Sequence, residues 1–155
     1  MMGSRPVATY QIEFYEDEHG DQPVLRWLRE DLAPEQRRVL GFAMREVLQA
    51  EGVDVCGTEY GRHLGRGLFE FRLGGTVGDY LKRPGSGPAA DQKLLLRVFC
   101  HAHGDKLILL LAGYDKLANT SKTHQNAQIE LARERLRSWQ LRHKKAKAHT
   151  RRRSS

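Results

Sequence analysis

Cysteine is scarce in this sequence, and its two cysteines, Cys56 and Cys100, do not form a CxxC pair. This spacing provides neither a disulfide framework nor a zinc knuckle, so a reducing environment is expected. Long apolar runs are absent as well, because the longest, Leu107 to Gly113, is far shorter than the roughly 18 residues that a membrane span needs. The first residues, MMGSRPVATYQ, lack the apolar stretch of a secretory signal. We therefore expect a cytoplasmic protein that does not associate with membranes.

Signature motifs of catalysis are also missing. The sequence contains no glycine-rich phosphate loop, no HExxH motif and no nucleophile elbow. His101 and His103 share one face of a predicted strand, with His63 as a third candidate ligand, but no carboxylate or cysteine accompanies them at a telling spacing. We expect solvated histidines there rather than a metal site, and we expect no cofactor.

Positive charge is present in excess, with a formal net charge of +7. The segment after Leu141 has no acids and seven cations, namely Arg142, Lys144, Lys145, Lys147, Arg151, Arg152 and Arg153. Upstream of it the chain is neutral but polarised: residues 1–60 hold 12 acids and 6 bases, and residues 61–141 hold 7 acids and 13 bases. This asymmetry is typical of a protein that meets a polyanion, although terminal basic runs are often only solvated tails.

The first half of the chain predicts a strand and a helical hairpin. Residues Thr9 to Tyr15 alternate and are rich in aromatic and β-branched types, as strands are. Pro23 begins one helix and Pro34 a second, because proline is favoured in the first helical turn. Gly52 ends the second helix, as a glycine after the last helical residue does.

The second half predicts three strands and a helix. Leu68 to Leu73 and Leu94 to His103 alternate, whereas Lys106 to Tyr114 is almost entirely apolar, as in a central strand that is covered on both faces. The segment from Gly74 to Gln92 is rich in Gly, Pro and Ser and predicts a long surface loop. A final helix begins at Ser121 and Lys122, and its apolar seam is formed by Ile129, Ala132, Leu136 and Trp139.

This order of elements predicts one α+β domain with an antiparallel sheet, packed against helices. We expect the domain to span residues 9–141. A flexible N-terminus, residues 1–8, precedes it, and a basic, disordered tail, residues 142–155, follows it.

Polar side chains occupy strand positions that apolar residues could have filled. Glu70 and Arg72 share one face of their strand, Arg97 lies on the polar face of the next, and Tyr114 and Lys116 end the strand after that. If these strands pair in order, the side chains converge on one surface. Arginine binds phosphate with its planar fork, and Lys, Tyr or Glu can transfer protons, so the set suits RNA cleavage without a metal. Cross-strand ion pairs on a solvated face are the alternative, which periodicity alone favours.

Further cations extend this candidate site toward RNA binding. His124 lies in the first turn of the final helix, where a helix N-terminus attracts phosphate, although an ordinary surface residue is the alternative. The RNA-binding candidates are Lys122, His124, Arg142, Lys144 and Lys145.

Four segments carry a family resemblance: YEDEHGDQPVLRWLREDL, GRGLFEFRL, LLLRVFCHAHGDKLILLLAGYDK and IELARERLRSW. In this order they resemble the phage-derived, HigB-like branch of the RelE/ParE toxins, which are the toxin halves of bacterial type II toxin–antitoxin systems. The resemblance runs from about Tyr10 to Arg142. It implies a RelE-like fold and cleavage of mRNA on the ribosome without a metal. The implied partners are the ribosome, mRNA and a helix-turn-helix, HigA-like antitoxin, through which the complex contacts DNA.

The resemblance also implies which residues act. The family's basic and proton-transfer positions fall on Arg72, Arg97, Tyr114 and Lys116, with Glu70 beside them. Family members usually have two adjacent lysines after the strand-ending aromatic, whereas this chain has Asp115 before its single lysine. Lys122 is a candidate replacement for the missing charge.

We therefore expect an mRNA endoribonuclease toxin, in which two arginines stabilise the phosphate, Lys116 and Tyr114 handle a proton, and Glu70 orients an arginine or acts as a base. One alternative is a toxin-fold protein without nuclease activity that acts only in a repressor complex, which the missing lysine favours. The other alternative is a ParE-like gyrase poison, against which the converging cations argue.

Overall fold

The computed structural model describes residues 9–81 and 90–154, so the predicted flexible N-terminus lies outside the described part of the chain. Within these ranges five strands form a mixed sheet in the order β1-β5-β4-β3-β2. They are β1 (Gln11–Phe14), β2 (Gly61–Gly65), β3 (Leu68–Thr76), β4 (Lys93–His103) and β5 (Leu107–Asp115). A helical hairpin and a long C-terminal helix pack against this sheet, which confirms the α+β class.

The sheet is not purely antiparallel, because β1 pairs in parallel with β5, Gln11 with Leu107 through Phe14 with Leu110. The expectation of an antiparallel sheet is therefore wrong at this edge. Only a tight hairpin forces two strands to run in opposite directions, and here the helical hairpin and three strands separate β1 from β5 in the sequence. The other three strand pairs are antiparallel.

The predicted helical hairpin is present. Its first arm is α1 (Pro23–Arg26) with the π-helical turn Trp27–Asp31, and its second is α2 (Pro34–Ala43), the π-helical turn Met44–Leu48 and α3 (Gln49–Glu51), before the 3₁₀ helix Gly52–Gly57. Gly52 has a φ of 58°, and a Cβ there would collide with the ring of Tyr10. Glycine thus ends the helix because both the conformation and the close approach exclude a side chain.

Two segments differ from the sequence prediction. The predicted loop from Gly74 to Gln92 begins as sheet, because β3 pairs with β4 as far as Thr76, and α4 (Val77–Tyr80) follows. The Asp79 carboxylate accepts a hydrogen bond from the Thr76 amide (2.8 Å) and stabilises the start of α4. β2 was not predicted, since its GRHLG sequence has few residues with β propensity and owes its conformation to pairing with β3.

Both faces of the sheet are covered. The alternation in β3 and β4 directs Phe69, Phe71 and Val98 into the core beneath the helical hairpin. The opposite face buries a second apolar cluster against the C-terminal helix, which includes Phe99 and Leu111. The expectation that the third predicted strand is covered on both faces is confirmed, because β5 contributes residues to both clusters.

The C-terminal helix, α5 (Lys122–Ser154), is 33 residues long and continues through the basic segment. Residues 142–154, which belong to the segment whose composition predicts a disordered tail, are part of this helix. Alanine, lysine and arginine are good helix formers, and neither glycine nor proline interrupts the segment. Arg142 also ties the helix to the end of β1, because its guanidinium donates to the Glu16 carbonyl (2.8 Å) and lies over the Tyr15 ring. Across the two described ranges, no helix is long and apolar enough to cross a membrane.

Candidate active site

Three polar residues form one row across the sheet. Strand register pairs Arg72 of β3 with Arg97 of β4, and Arg97 in turn with Tyr114 of β5. All three lie on the face that packs against α5, because they alternate with residues that fill the core beneath the helical hairpin. The sequence pattern predicted this convergence, and the register produces it.

Glu70 lies beside this row and is almost fully buried, with 1% of its surface exposed. Its Oε1 is 3.9 Å from Nε of Arg72 and 4.0 Å from Nε of Arg97. Gln125 of α5 donates to the other carboxylate oxygen across 3.4 Å. A single buried carboxylate thus holds two guanidinium groups and contacts the first turns of α5. Gln125 was not predicted, since an exposed-looking glutamine on a helix has no distinctive pattern.

Arg97 is itself buried and is only partly satisfied. One Nη donates to the Leu96 carbonyl (3.1 Å), whereas Nε has no hydrogen-bond partner in the described parts of the chain. Burial lowers the pKa of Arg97 from its usual value, with the nearby Arg72 acting in the same direction and Glu70 opposing. Arginine nevertheless remains protonated at neutral pH. Arg97 is therefore a cation that has lost hydration and retains an unused donor.

Tyr114 has an unused polar atom as well. Its hydroxyl is buried and makes no hydrogen bond within the described ranges. Its ring stacks on Phe99 (6.2 Å between centroids) and meets the His124 ring edge to face at 5.0 Å. Burial raises the pKa of Tyr114, and the Glu70 carboxylate adds to the effect. The phenol therefore stays protonated at neutral pH and is available as a donor next to an imidazole.

An open cleft of about 380 Å³ adjoins the two arginines. The helix α5 begins only at Lys122 and leaves this end of the sheet uncovered. The cleft is lined by Glu59, Tyr60, Arg72, Gly74, Gly75, Asp79, Tyr80, Leu95 and Arg97. Its size is at the lower end of the range for small-ligand pockets, which suits a group about as large as one nucleotide.

The other predicted site residues separate into two groups. Lys116 is half-buried, and its amide donates to the carbonyl of Leu95, which lines the cleft. Lys122 is exposed at the start of α5, and the Ser121 hydroxyl accepts a hydrogen bond from the amide of His124 in the same turn.

Arg142, Lys144 and Lys145 lie at least 18 residues beyond His124 on the same helix. At 1.5 Å per residue, that separation is about 27 Å along the helix axis, so these cations do not belong to the cleft. Lys144 and Lys145 are exposed, whereas Arg142 contacts the end of β1.

The histidines considered as metal ligands have other neighbours. His101 Nδ1 donates to the Gly67 carbonyl (2.8 Å), and His103 lies against His143 of α5, 4.6 Å between ring centroids. Trp139 contacts both rings, since it meets His103 edge to face at 5.0 Å and stacks on His143 at 4.8 Å. In the residues that the structure describes, no group of three or more His, Cys, Asp or Glu side chains is arranged to hold a metal. This aromatic cluster joins the end of β4 to α5.

Comparison with known proteins gives no match, either to a family model or to a curated protein. Membership of the RelE/ParE toxins therefore remains an expectation that follows from the resemblance of the ordered sequence segments.

Proposed function

We propose that this protein is the toxin of a type II toxin–antitoxin system and cleaves mRNA on the ribosome. The observation that carries the proposal is the row formed by Arg72, Arg97 and Tyr114, which encloses a buried carboxylate and adjoins an open cleft. The ordered resemblance of the sequence segments supports the same function. A helix-turn-helix antitoxin would neutralise the protein and carry the complex to DNA.

In the proposed reaction the 2′-hydroxyl of the RNA attacks the adjacent phosphorus. The O2′–P bond forms while the P–O5′ bond breaks, and the products are a 2′,3′-cyclic phosphate and a 5′-hydroxyl. One proton leaves O2′ for a base, and one proton reaches O5′ from an acid. Negative charge accumulates on the phosphate oxygens in the transition state, where fixed cations act most strongly.

Arg72 and Arg97 provide those cations. The Arg72 side chain is about one-third exposed, at 34%, so it is accessible to a phosphate that enters the cleft. Arg97 also lines the cleft, and its Nε lies 4.0 Å from the buried Glu70 carboxylate, which orients the guanidinium group. Glu70 lies between the two arginines and Gln125 of α5, and these contacts fit the role of orienting the arginines rather than that of a base.

We assign the two proton transfers to Tyr114 and His124, whose rings lie edge to face at 5.0 Å beside the arginine row. Tyr114, whose hydroxyl has no partner in the described ranges, is the acid for the leaving O5′. The His124 imidazole is the base that accepts the proton of the 2′-hydroxyl. Lys116 adds positive charge where β5 ends.

Induced expression of the wild type and of single variants tests this proposal. We expect growth arrest and mRNA cleavage with the wild type. We expect cleavage to fall about a hundredfold or more with Arg97→Lys, which keeps the charge but loses the fork, and with Tyr114→Phe, which loses one donor. Primer extension on cellular mRNA measures the cleavage, and Arg29→Ala, on the exposed surface of the helical hairpin, is the matched control.

Two outcomes would contradict the proposal. Growth arrest without mRNA cleavage would indicate a different target, such as gyrase. A folded wild type that causes neither arrest nor cleavage would indicate a protein that only binds its antitoxin and represses transcription.

A further inference from the structure

Besides the Arg72–Arg97 pair, the cleft is lined by side chains that the proposed reaction does not use. Glu59 and Asp79 supply two carboxylates, and Tyr60 and Tyr80 supply two aromatic rings. The cleft therefore combines cationic, anionic and aromatic groups. A site for phosphate groups alone would not include carboxylates, because they repel the ligand.

One of the two aromatic rings, that of Tyr80, is held in place by a hydrogen bond. The Tyr80 hydroxyl donates a hydrogen bond to the Gly74 carbonyl (2.8 Å), which anchors α4 to the C-terminal part of β3. Burial raises the pKa of Tyr80 to about 12, and neighbouring Tyr60 adds to the effect, so the hydroxyl keeps its proton and its hydrogen bond. A ring that is held in this way is a suitable surface for stacking a planar base.

The two carboxylates differ in their availability. Asp79 is already engaged, because one of its oxygens accepts from the Thr76 amide. Glu59 is exposed, and its side chain forms no hydrogen bond or ion pair with another residue in the described ranges. It lines the cleft, where its carboxylate can accept hydrogen bonds from a ligand.

A nucleotide has a partner for each kind of group in the cleft. Its phosphate is anionic, and bases with an exocyclic amino group present hydrogen-bond donors. Guanine presents two donors side by side, N1–H and the 2-amino group, which match the two oxygens of one carboxylate. Uracil has no amino group and flanks its single N–H with two carbonyl oxygens, which a carboxylate would repel.

We propose that the cleft is a base-specificity site, in which Tyr80 stacks on the base next to the cleaved phosphate and Glu59 binds the donor edge of guanine. This inference rests on the proposed nuclease function. Arg72 and Arg97 line the same cleft as Glu59 and Tyr80, so a phosphate that the arginines bind would share this cleft with the base that Tyr80 and Glu59 contact.

Cleavage of matched mRNAs by the purified protein with purified ribosomes tests the inference. The mRNAs differ only in the base on either side of the cleaved bond, with all four bases tested at each position. We expect the wild type to favour guanine over uracil about tenfold in kcat/KM, and Glu59→Gln to lose most of this ratio, because an amide pairs one donor and one acceptor with the base edge. Glu13→Gln, an exposed change on β1 at the opposite edge of the sheet, should retain the ratio.

The outcomes separate this inference from the function on which it rests. Cleavage by the wild type with equal rates at guanine and uracil would overturn the inference and leave the nuclease function intact. The same conclusion would follow if Glu59→Gln kept the wild-type ratio. If the wild type cleaved no mRNA under any condition, both the nuclease function and the specificity site would be wrong.

Discussion

The substitution Glu70→Gln probes the buried ion cluster that holds the two arginines in place. The change keeps the shape of the side chain but removes its charge. Arg97 then remains buried with no carboxylate beside it, while its Nε already lacks a hydrogen-bond partner among the described residues. The free energy of unfolding should therefore fall.

The magnitude follows from the two distances. Unit charges about 4 Å apart attract by about 4 kcal/mol at an effective dielectric constant of about 20. Arg72 is 3.9 Å from Glu70 but about one-third exposed, so solvent screens the attraction between these two charges. The attraction between Glu70 and the buried Arg97, 4.0 Å apart, therefore contributes most of the free energy. Removing one partner of a buried ion pair typically costs about 3–5 kcal/mol, and we expect about 3 kcal/mol here because glutamine retains a polar group. For a chain of this size the melting temperature should drop by roughly 6–12 °C.

Urea unfolding of four proteins measures the effect: the wild type, Glu70→Gln, Arg97→Gln and the double variant. The double variant should lose about 2 kcal/mol less than the sum of the single changes, since it leaves no uncompensated buried charge and the remaining Arg72 is partly exposed to solvent. Glu13→Gln is exposed and should change the free energy of unfolding by no more than about 0.5 kcal/mol. A loss below about 1 kcal/mol for Glu70→Gln, or strictly additive single effects, would refute the reasoning.

Two further predictions concern the contact between the end of β4 and α5 and the basic segment of α5. Burial, reinforced by His143 and His101, lowers the pKa of His103. The unfolded chain therefore takes up this proton first as the pH falls below about 6.5, and the free energy of unfolding should decrease from that pH downward to the lower pKa of the folded state. Urea midpoints at about pH 7.5 and 5.5 should differ less for His103→Gln than for the wild type, and equal differences would contradict the assignment. Truncation after Leu141 removes seven cations and should weaken ribosome binding more at low than at high salt, because fewer counterions are released; an unchanged salt slope would exclude the tail from binding.

Periodicity was sufficient to predict the elements whose burial is one-sided. The alternation of Phe69, Phe71 and Leu73 in β3 identified the core face correctly, because a strand with one apolar and one polar face has only one stable orientation. The same argument placed Arg72 and Arg97 on the opposite face, since each of them lies between two residues of the apolar set. Pro34 and Gly52 likewise marked the ends of their helix through local backbone constraints that require no tertiary information.

Features that depend on distant pairing were not predictable in this way. The parallel pairing of β1 with β5 is decided by packing after the intervening elements have folded, and β2 adopts its conformation only against β3. The contact of Gln125 with Glu70 joins residues 55 positions apart, and its amide side chain carries no periodic signal. The cleft beside Tyr80 arises because α4 forms within a segment whose composition predicts a loop.

The cluster of Glu70, Arg72 and Arg97 is explained better by the proposed chemistry than by its contribution to stability. Replacing buried ion pairs with apolar residues of similar volume is often neutral or stabilising, so stability alone does not account for Glu70 and two arginines at this position. Together the three side chains carry a net charge of +1, which one phosphodiester neutralises. In the proposed cleavage the transition state gains a second negative charge, which the fixed cations of Arg72 and Arg97 would stabilise more than they stabilise the bound substrate. Because preferential stabilisation of the transition state is the condition for rate acceleration, the proposed chemistry gives a reason for this cluster that stability does not.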